Sequence, residues 1–204
     1  MSYLKEILRV PQHKGKKFSL SSFDLENKER TGYSEGKLIV YKAFSHDDPR
    51  VILFGIFDNE SLISSVVGYF DTFNGKKYFV VLDAYTHKDF RQKGYATALY
   101  SFLIMTLRLK LVSDTEQTPS GEKLWTSIRK VFPAKVYDSN TKKILPPGSV
   151  SDEEVYTTDE TKNRYRFIIE SESPIDGIGI PRIGEGIIKK HQFYTHPSKH
   201  GAYA

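Results

Sequence analysis

The stretch "HKDFRQKGYATAL" (His87–Leu99) decides how the whole chain is read. A buried-strand pattern, "KYFVVLDAY" (77–85), precedes it. A helical pattern follows, with apolar residues at Ala98, Leu99, Phe102, Leu103, Met105, Leu107 and Leu109. Between the two lies a basic corner with a single glycine, Gly94. The start of a helix leaves backbone N–H groups unpaired and carries a partial positive charge. Gly94 has no Cβ to hold a bulky anion away, and Ala96 keeps the first turn small. Arg91, Lys93 and Thr97 add side-chain donors. Such a corner suits a diphosphate. Taken singly, a glycine before a helix is most often a turn and a basic loop most often a wetted loop. The order of the elements around this corner favours the cradle.

Upstream, "KLIVYKAF" (37–44), "RVILFGIFD" (50–58) and "SLISSVVGYFDTF" (61–73) read as strands, and 77–85 is the fourth. Asn74-Gly75 supplies the positive φ of a tight hairpin turn. These four runs predict an antiparallel meander. Downstream, "LKLVS" (109–113) begins another strand. Thr118 and Pro119 read as the cap and first residue of a second helix, with a stripe of Leu124, Trp125, Ile128, Val131 and Phe132. "NRYRFIIE" (163–170) reads as a last strand. Residues 1–36 read as an N-terminal extension with a short helix at 3–9 and then irregular chain. Residues 37–137 read as the core, and 138–204 as a C-terminal extension carrying a final strand and a flexible tail.

The bulk composition agrees with one α/β domain of ordinary globular character. The chain has 204 residues, 39% hydrophobic and 27% charged, and a formal net charge of +5. No run of 18 apolar residues predicts a membrane span, and "MSYLKEILRV" lacks a signal-peptide core. Without cysteine there is no disulfide, no thiolate metal site and no cysteine nucleophile. These features fit a cytoplasmic setting. A Walker-type loop is excluded because no Gly-Lys-Ser/Thr occurs at the corner, and one glycine does not make a dinucleotide fingerprint. Nucleic-acid binding is not favoured: net charge is small and the aromatics are scattered. His191, His196 and His200 lie on a polar tail, where disorder is the plainer reading than metal ligation.

Arg91-Gln92-Lys93-Gly94-Tyr95-Ala96 resembles the Arg/Gln-x-x-Gly-x-Gly/Ala motif of the GCN5-related N-acetyltransferases (GNAT), and His87-Lys88-Asp89-Phe90 is similar to the usual approach to it. The resemblance covers about residues 50–132. It implies a mixed, mostly antiparallel sheet with a V-shaped splay and flanking helices. It implies acetyl-coenzyme A as cofactor, held by Ala84, Tyr85, Thr86, Arg91, Gln92, Lys93, Gly94, Tyr95, Ala96 and Thr97. Backbone N–H groups near Ala84 and Tyr85 would polarise the thioester carbonyl. The phrase "SDTEQTPSGEKLW" also resembles acetyltransferase-like proteins of tailed bacteriophages, which would place the chain in a host cytoplasm.

The implied reaction is acetyl transfer to an amine. A lysine ammonium, with a pKa near ~10.4, must lose a proton before it attacks. Base candidates are Asp83 on the fourth strand and Asp114 and Glu116 after the fifth. Tyr137 would supply a hydroxyl if the sixth strand crosses the site. Each has a blander reading as a paired strand or loop residue. Two departures from the family pattern stand out. Trp125 occupies the position where many members carry an acidic tyrosine. "SHDDP" leaves little room for the two helices that usually wall the acceptor site, so either the first strand lies earlier in the chain or those helices are missing. An open groove suits a protein lysine or another macromolecular amine. The competing reading is a coenzyme A-binding or host-factor-binding module without catalysis.

Overall fold

The computed structural model describes residues 19–35, 38–114, 119–146, 148–156, 164–170 and 175. Its frame is a nine-stranded sheet. The strands are β1 (Glu29–Glu35), β2 (Leu38–Phe44), β3 (Val51–Asp58), β4 (Ser61–Phe73), β5 (Lys76–Thr86), β6 (Leu111–Val112), β7 (Ala134–Asp138), β8 (Lys143–Leu145) and β9 (Tyr165–Ile169). They lie in the order β1-β2-β3-β4-β5-β6-β9-β7-β8. Every neighbouring pair is antiparallel except β5 with β6. The result is an open, mixed sheet with three helices among the described residues: α1 (Tyr95–Met105), α2 (Pro119–Arg129) and the short α3 (Asp152–Val155).

The meander predicted from 37–85 is present as β2 to β5. Asn74 and Gly75 have φ of 50° and 73° and turn β4 into β5. β3 is buried along both faces, which explains its unbroken apolar run "VILFGIF". Ile52, Phe54 and Ile56 join Val66, Phe79 and Val81 under α1, while Val51 and Leu53 pack with Val67 and Phe23 on the opposite face.

α1 is apolar almost all round because it is enclosed. It packs on β3, β4 and β5 and also against α2. Leu99, Leu103 and Ile104 are fully buried. Burying side chains of this kind contributes about 1.5–3 kcal/mol each. α2 is amphipathic and turns Trp125 and Ile128 inward.

The structure corrects the reading of residues 1–36 as irregular after the first helix. Glu29–Glu35 is a strand, and its backbone pairs with β2 from Glu29↔Lys42 to Glu35↔Leu38. "ERTGYSE" carries no apolar alternation because β1 is an edge strand, where polar residues are the normal guard against further pairing. β8 and α3 were also unforeseen. The final strand, β9, is inserted between β6 and β7 rather than added at an edge. The helix read at 3–9, the cap at Thr118 and the histidines 191, 196 and 200 lie outside the described residues.

Candidate active site: a splayed strand facing a helix mouth

β5 and β6 pair only through Phe79↔Leu111 and Val80↔Val112. β6 ends there, while β5 continues to Thr86 with its outer edge released from β6. This is the splay. A β-bulge accompanies it: Gly68 faces Val81, whereas the next residue back, Val67, faces Asp83. Leu82 is therefore extra, and an extra residue bends and twists its strand. Gly68 makes the bulge sterically possible. A Cβ there would lie 2.2 Å from the Val80 carbonyl oxygen and 2.7 Å from the Phe79 ring. The sequence carried one signal of this, a glycine inside the apolar run "VVGYF".

Beyond the splay, the chain turns through Lys88–Phe90 as a single 3-10 turn and enters α1. The His87 N–H donates to the Ile63 carbonyl at 2.8 Å and ties the corner to β4. Ser64 reinforces the end of β5: its hydroxyl lies 3.0 Å from the Tyr85 carbonyl and 2.9 Å from the Thr86 hydroxyl. The Phe90 and Tyr95 rings meet edge to face at 5.4 Å and close the loop from beneath.

Gln92 and Gly94 have φ of 61° and 80°, the left-handed region. Gly94 is the N-cap of α1 and provides no side-chain cap. The first helical bond runs from the Ala98 N–H to the Gly94 carbonyl, 2.9 Å. The amides of Tyr95, Ala96 and Thr97 thus precede the ladder and point out of the helix mouth. Arg91 and Lys93 are exposed. They fold back on the loop, the Arg91 Nε donating to the Thr86 carbonyl at 3.1 Å and the Lys93 Nζ to the Asp89 carbonyl at 2.8 Å. Open amides, left-handed glycine and two cations at one helix mouth fit a diphosphate group.

The other candidates are dispersed. Asp83 is half-buried beside the splay, and its Oδ1 accepts the Ala84 N–H at 2.8 Å. Asp114 is half-buried just past the end of β6. Glu116 lies outside the described residues. Tyr137 is buried on β7, packed edge to face on Phe73 at 5.0 Å. β6 and β9 separate β7 from β5, which puts Tyr137 three strand spacings, roughly 14 Å, from the splayed edge. Burial pushes its hydroxyl pKa up against the opposing charge of Arg166.

Trp125 is 2% exposed and lies between Tyr100 of α1 (5.8 Å) and Phe167 of β9 (6.4 Å). It is a core residue. Tyr100, which is absent from the apolar positions read for α1, is also buried. Burial, together with the charge of Asp83, raises its hydroxyl pKa. A cavity of about 420 Å³ lined by Leu20, Phe23, Asp24, Leu25 and His46 lies by the end of β2, away from the helix mouth.

No α-helix precedes α1 among the described residues, and the 3-10 turns Leu20–Ser22 and Lys88–Phe90 are the helical turns before it. β1 passes to β2 through residues 36–37 alone, and β2 to β3 through residues 45–50. No curated protein matches the chain. Residues 19–116 match the model of the acetyltransferase (GNAT) family, and the splayed, mostly antiparallel open sheet is consistent with that fold.

Proposed function

We propose that this protein is an N-acetyltransferase that moves the acetyl group of acetyl-coenzyme A to a primary amine on a protein or another macromolecule. The observation that carries this reading is the pairing of two features. The uncapped, left-handed Gly94 opens α1 toward an anion, and the β5 edge beyond Val80 is freed alongside it. The amides of Tyr95, Ala96 and Thr97, with Arg91 and Lys93, hold the diphosphate, and the backbone of Ala84–Thr86 lines the pantetheine arm. The family match supports acetyl transfer as the chemistry.

The acceptor arrives as an ammonium and needs a base. Asp83 is favoured over Asp114 and Tyr137 because it sits on the splayed stretch of β5 itself. The acceptor nitrogen attacks the thioester carbon, an N–C bond replaces the C–S bond, and the thiolate departs. Trp125 supplies no proton to it. A thiol of pKa about 8.5 leaves tolerably near neutrality without one. Short links on both sides of β2, with no walling helices among the described residues, support a wide acceptor groove.

The test is thermal melting with and without acetyl-coenzyme A, followed by mass spectrometry of mixed acceptors. The expected result is stabilisation by the cofactor and a single acetyl added to a macromolecular amine. Efficient turnover of free polyamines or aminoglycosides instead would overturn the macromolecular acceptor. The burial of Trp125, which leaves the family's usual acid position without a hydroxyl, favours one second reading. It is a phage-type module that binds coenzyme A or a host factor without catalysis, and stabilisation without product would select it.

A further inference from the structure

The amide best placed to polarise the thioester is already engaged. Upstream of the bulge, the Phe79 N–H donates to the Lys110 carbonyl at 2.8 Å, so odd-numbered residues of β5 direct their N–H toward β6. The extra residue Leu82 reverses this alternation, because Val81 faces Gly68 and Asp83 faces Val67. Ala84 therefore turns its N–H to the side that β6 has left, and Tyr85 turns its own toward β4. On that open side the Asp83 carboxylate takes the Ala84 N–H at 2.8 Å. Hydrogen bonds to an ionised acceptor are roughly twice as strong as neutral ones. A neutral thioester carbonyl therefore loses a direct contest for this amide. An ionised Asp83 beside a developing oxyanion would also repel it. Both obstacles vanish when the carboxylate is protonated.

We propose that Asp83 latches the Ala84 amide and yields it to the thioester oxygen only after taking a proton from the incoming amine. The idea rests on the acetyltransferase reading above. The acceptor ammonium gives one proton to Asp83 and keeps the electron pair on nitrogen. That pair bonds the carbonyl carbon, and the carbonyl π pair moves onto oxygen, where the released Ala84 N–H meets it. Collapse breaks the C–S bond and sends its electrons away on the thiolate. The nitrogen then sheds its remaining extra proton to the thiolate, and Asp83 returns its own proton to water and re-engages Ala84. Across the sheet Asp83 faces Val67, which carries no charge. From α1, the buried Tyr100 hydroxyl lies within its field, and its raised pKa keeps it protonated.

Three proteins test this: the parent, Asp83→Ala and Asp83→Asn, each checked for folding by circular dichroism. The first readout is the ratio of coenzyme A to acetyl-coenzyme A dissociation constants by calorimetry. Asp83→Ala frees the amide and should raise the preference for the thioester about five- to tenfold, the size of one neutral hydrogen bond. Asp83→Asn retains a neutral acceptor for the Ala84 N–H and should show a smaller rise. The second readout is kcat against pH with a lysine peptide. Both variants should fall about a hundredfold or more near neutrality. Asp83→Ala should recover as pH approaches the amine pKa, and Asp83→Asn should recover less. An unchanged binding ratio in Asp83→Ala, or parallel recovery of the two variants, overturns the latch. Absence of coenzyme A binding in the parent protein overturns the acetyltransferase reading together with it.

Discussion

Val80 and Val112 are the last residues that join β5 to β6. Both are fully buried on the sheet face opposite α1, where they pack with Tyr69 and Tyr78. The pair acts as the crotch of a V. Below it the sheet is continuous, and above it residues 81–86 have no strand partner on that side among the described residues. That edge leads directly into the corner before α1, so the slot and the helix mouth proposed to hold the diphosphate are consecutive in the chain.

The bulge that opens this edge depends on Gly68. A methyl group there meets the Val80 carbonyl oxygen at 2.2 Å, which rigid backbone cannot relieve cheaply. Gly68→Ala is expected to cost about 1–3 kcal/mol of stability, read by urea denaturation. Affinity for acetyl-coenzyme A should fall as well, because the bulge must shift. An equally stable variant with unchanged affinity would show that the bulge does not set the splay.

Gly94 is held at φ 80°. Gly94→Val should lose about 1–2 kcal/mol from the left-handed backbone alone. It should weaken coenzyme A binding at least tenfold in calorimetry, since the branched side chain stands at the helix mouth. Gly94→Asn is the control, because asparagine tolerates this conformation. It should recover most of the stability and less of the binding.

Trp125 packs between Tyr100 and Phe167. Trp125→Ala should destabilise by about 3–5 kcal/mol through the cavity it leaves. Trp125→Phe should keep the fold and leave the pH profile of kcat unmoved. A shifted profile in the phenylalanine variant would bring this ring into the chemistry after all.

Glu170 knots three strands together. It accepts from the Tyr78 hydroxyl at 2.7 Å, from Lys76 at 3.0 Å and from Lys135 at 3.0 Å. Burial pushes its pKa up, but these three donors outweigh that and hold it at about 2, against an ordinary 4.5. A depressed folded-state pKa contributes stability that is complete above the unfolded value and lost as pH falls through the folded one. The protein should therefore lose stability between about pH 4.5 and 2. Glu170→Gln should flatten that part of the curve, measured as urea midpoint against pH. A parent curve already flat there would remove Glu170 from the acid response.

How much of this could be read from the chain depends on the range of the forces involved. The Asn74-Gly75 hairpin and the Gly94 cap are backbone conformations that a single residue type permits, so they were legible. The same holds for the meander and for α1, whose patterns of alternating or near-continuous burial repeat within a dozen residues. β1 was not legible: "ERTGYSE" is polar because an edge strand gains its place from backbone pairing with β2. Nor was Trp125, whose fit to a family position said nothing of the rings on either side of it.

By itself, then, the sequence determined the strand–corner–helix unit and the unpaired amides at its mouth, since both arise from local φ preferences and the geometry of a helix start. Only the tertiary structure decided that β9 enters between β6 and β7, that β5 bulges at Leu82 and that the Ala84 amide turns toward Asp83 and the open edge. Those features come from pairing between residues far apart in the chain, where a one-residue shift in register reverses every N–H that follows.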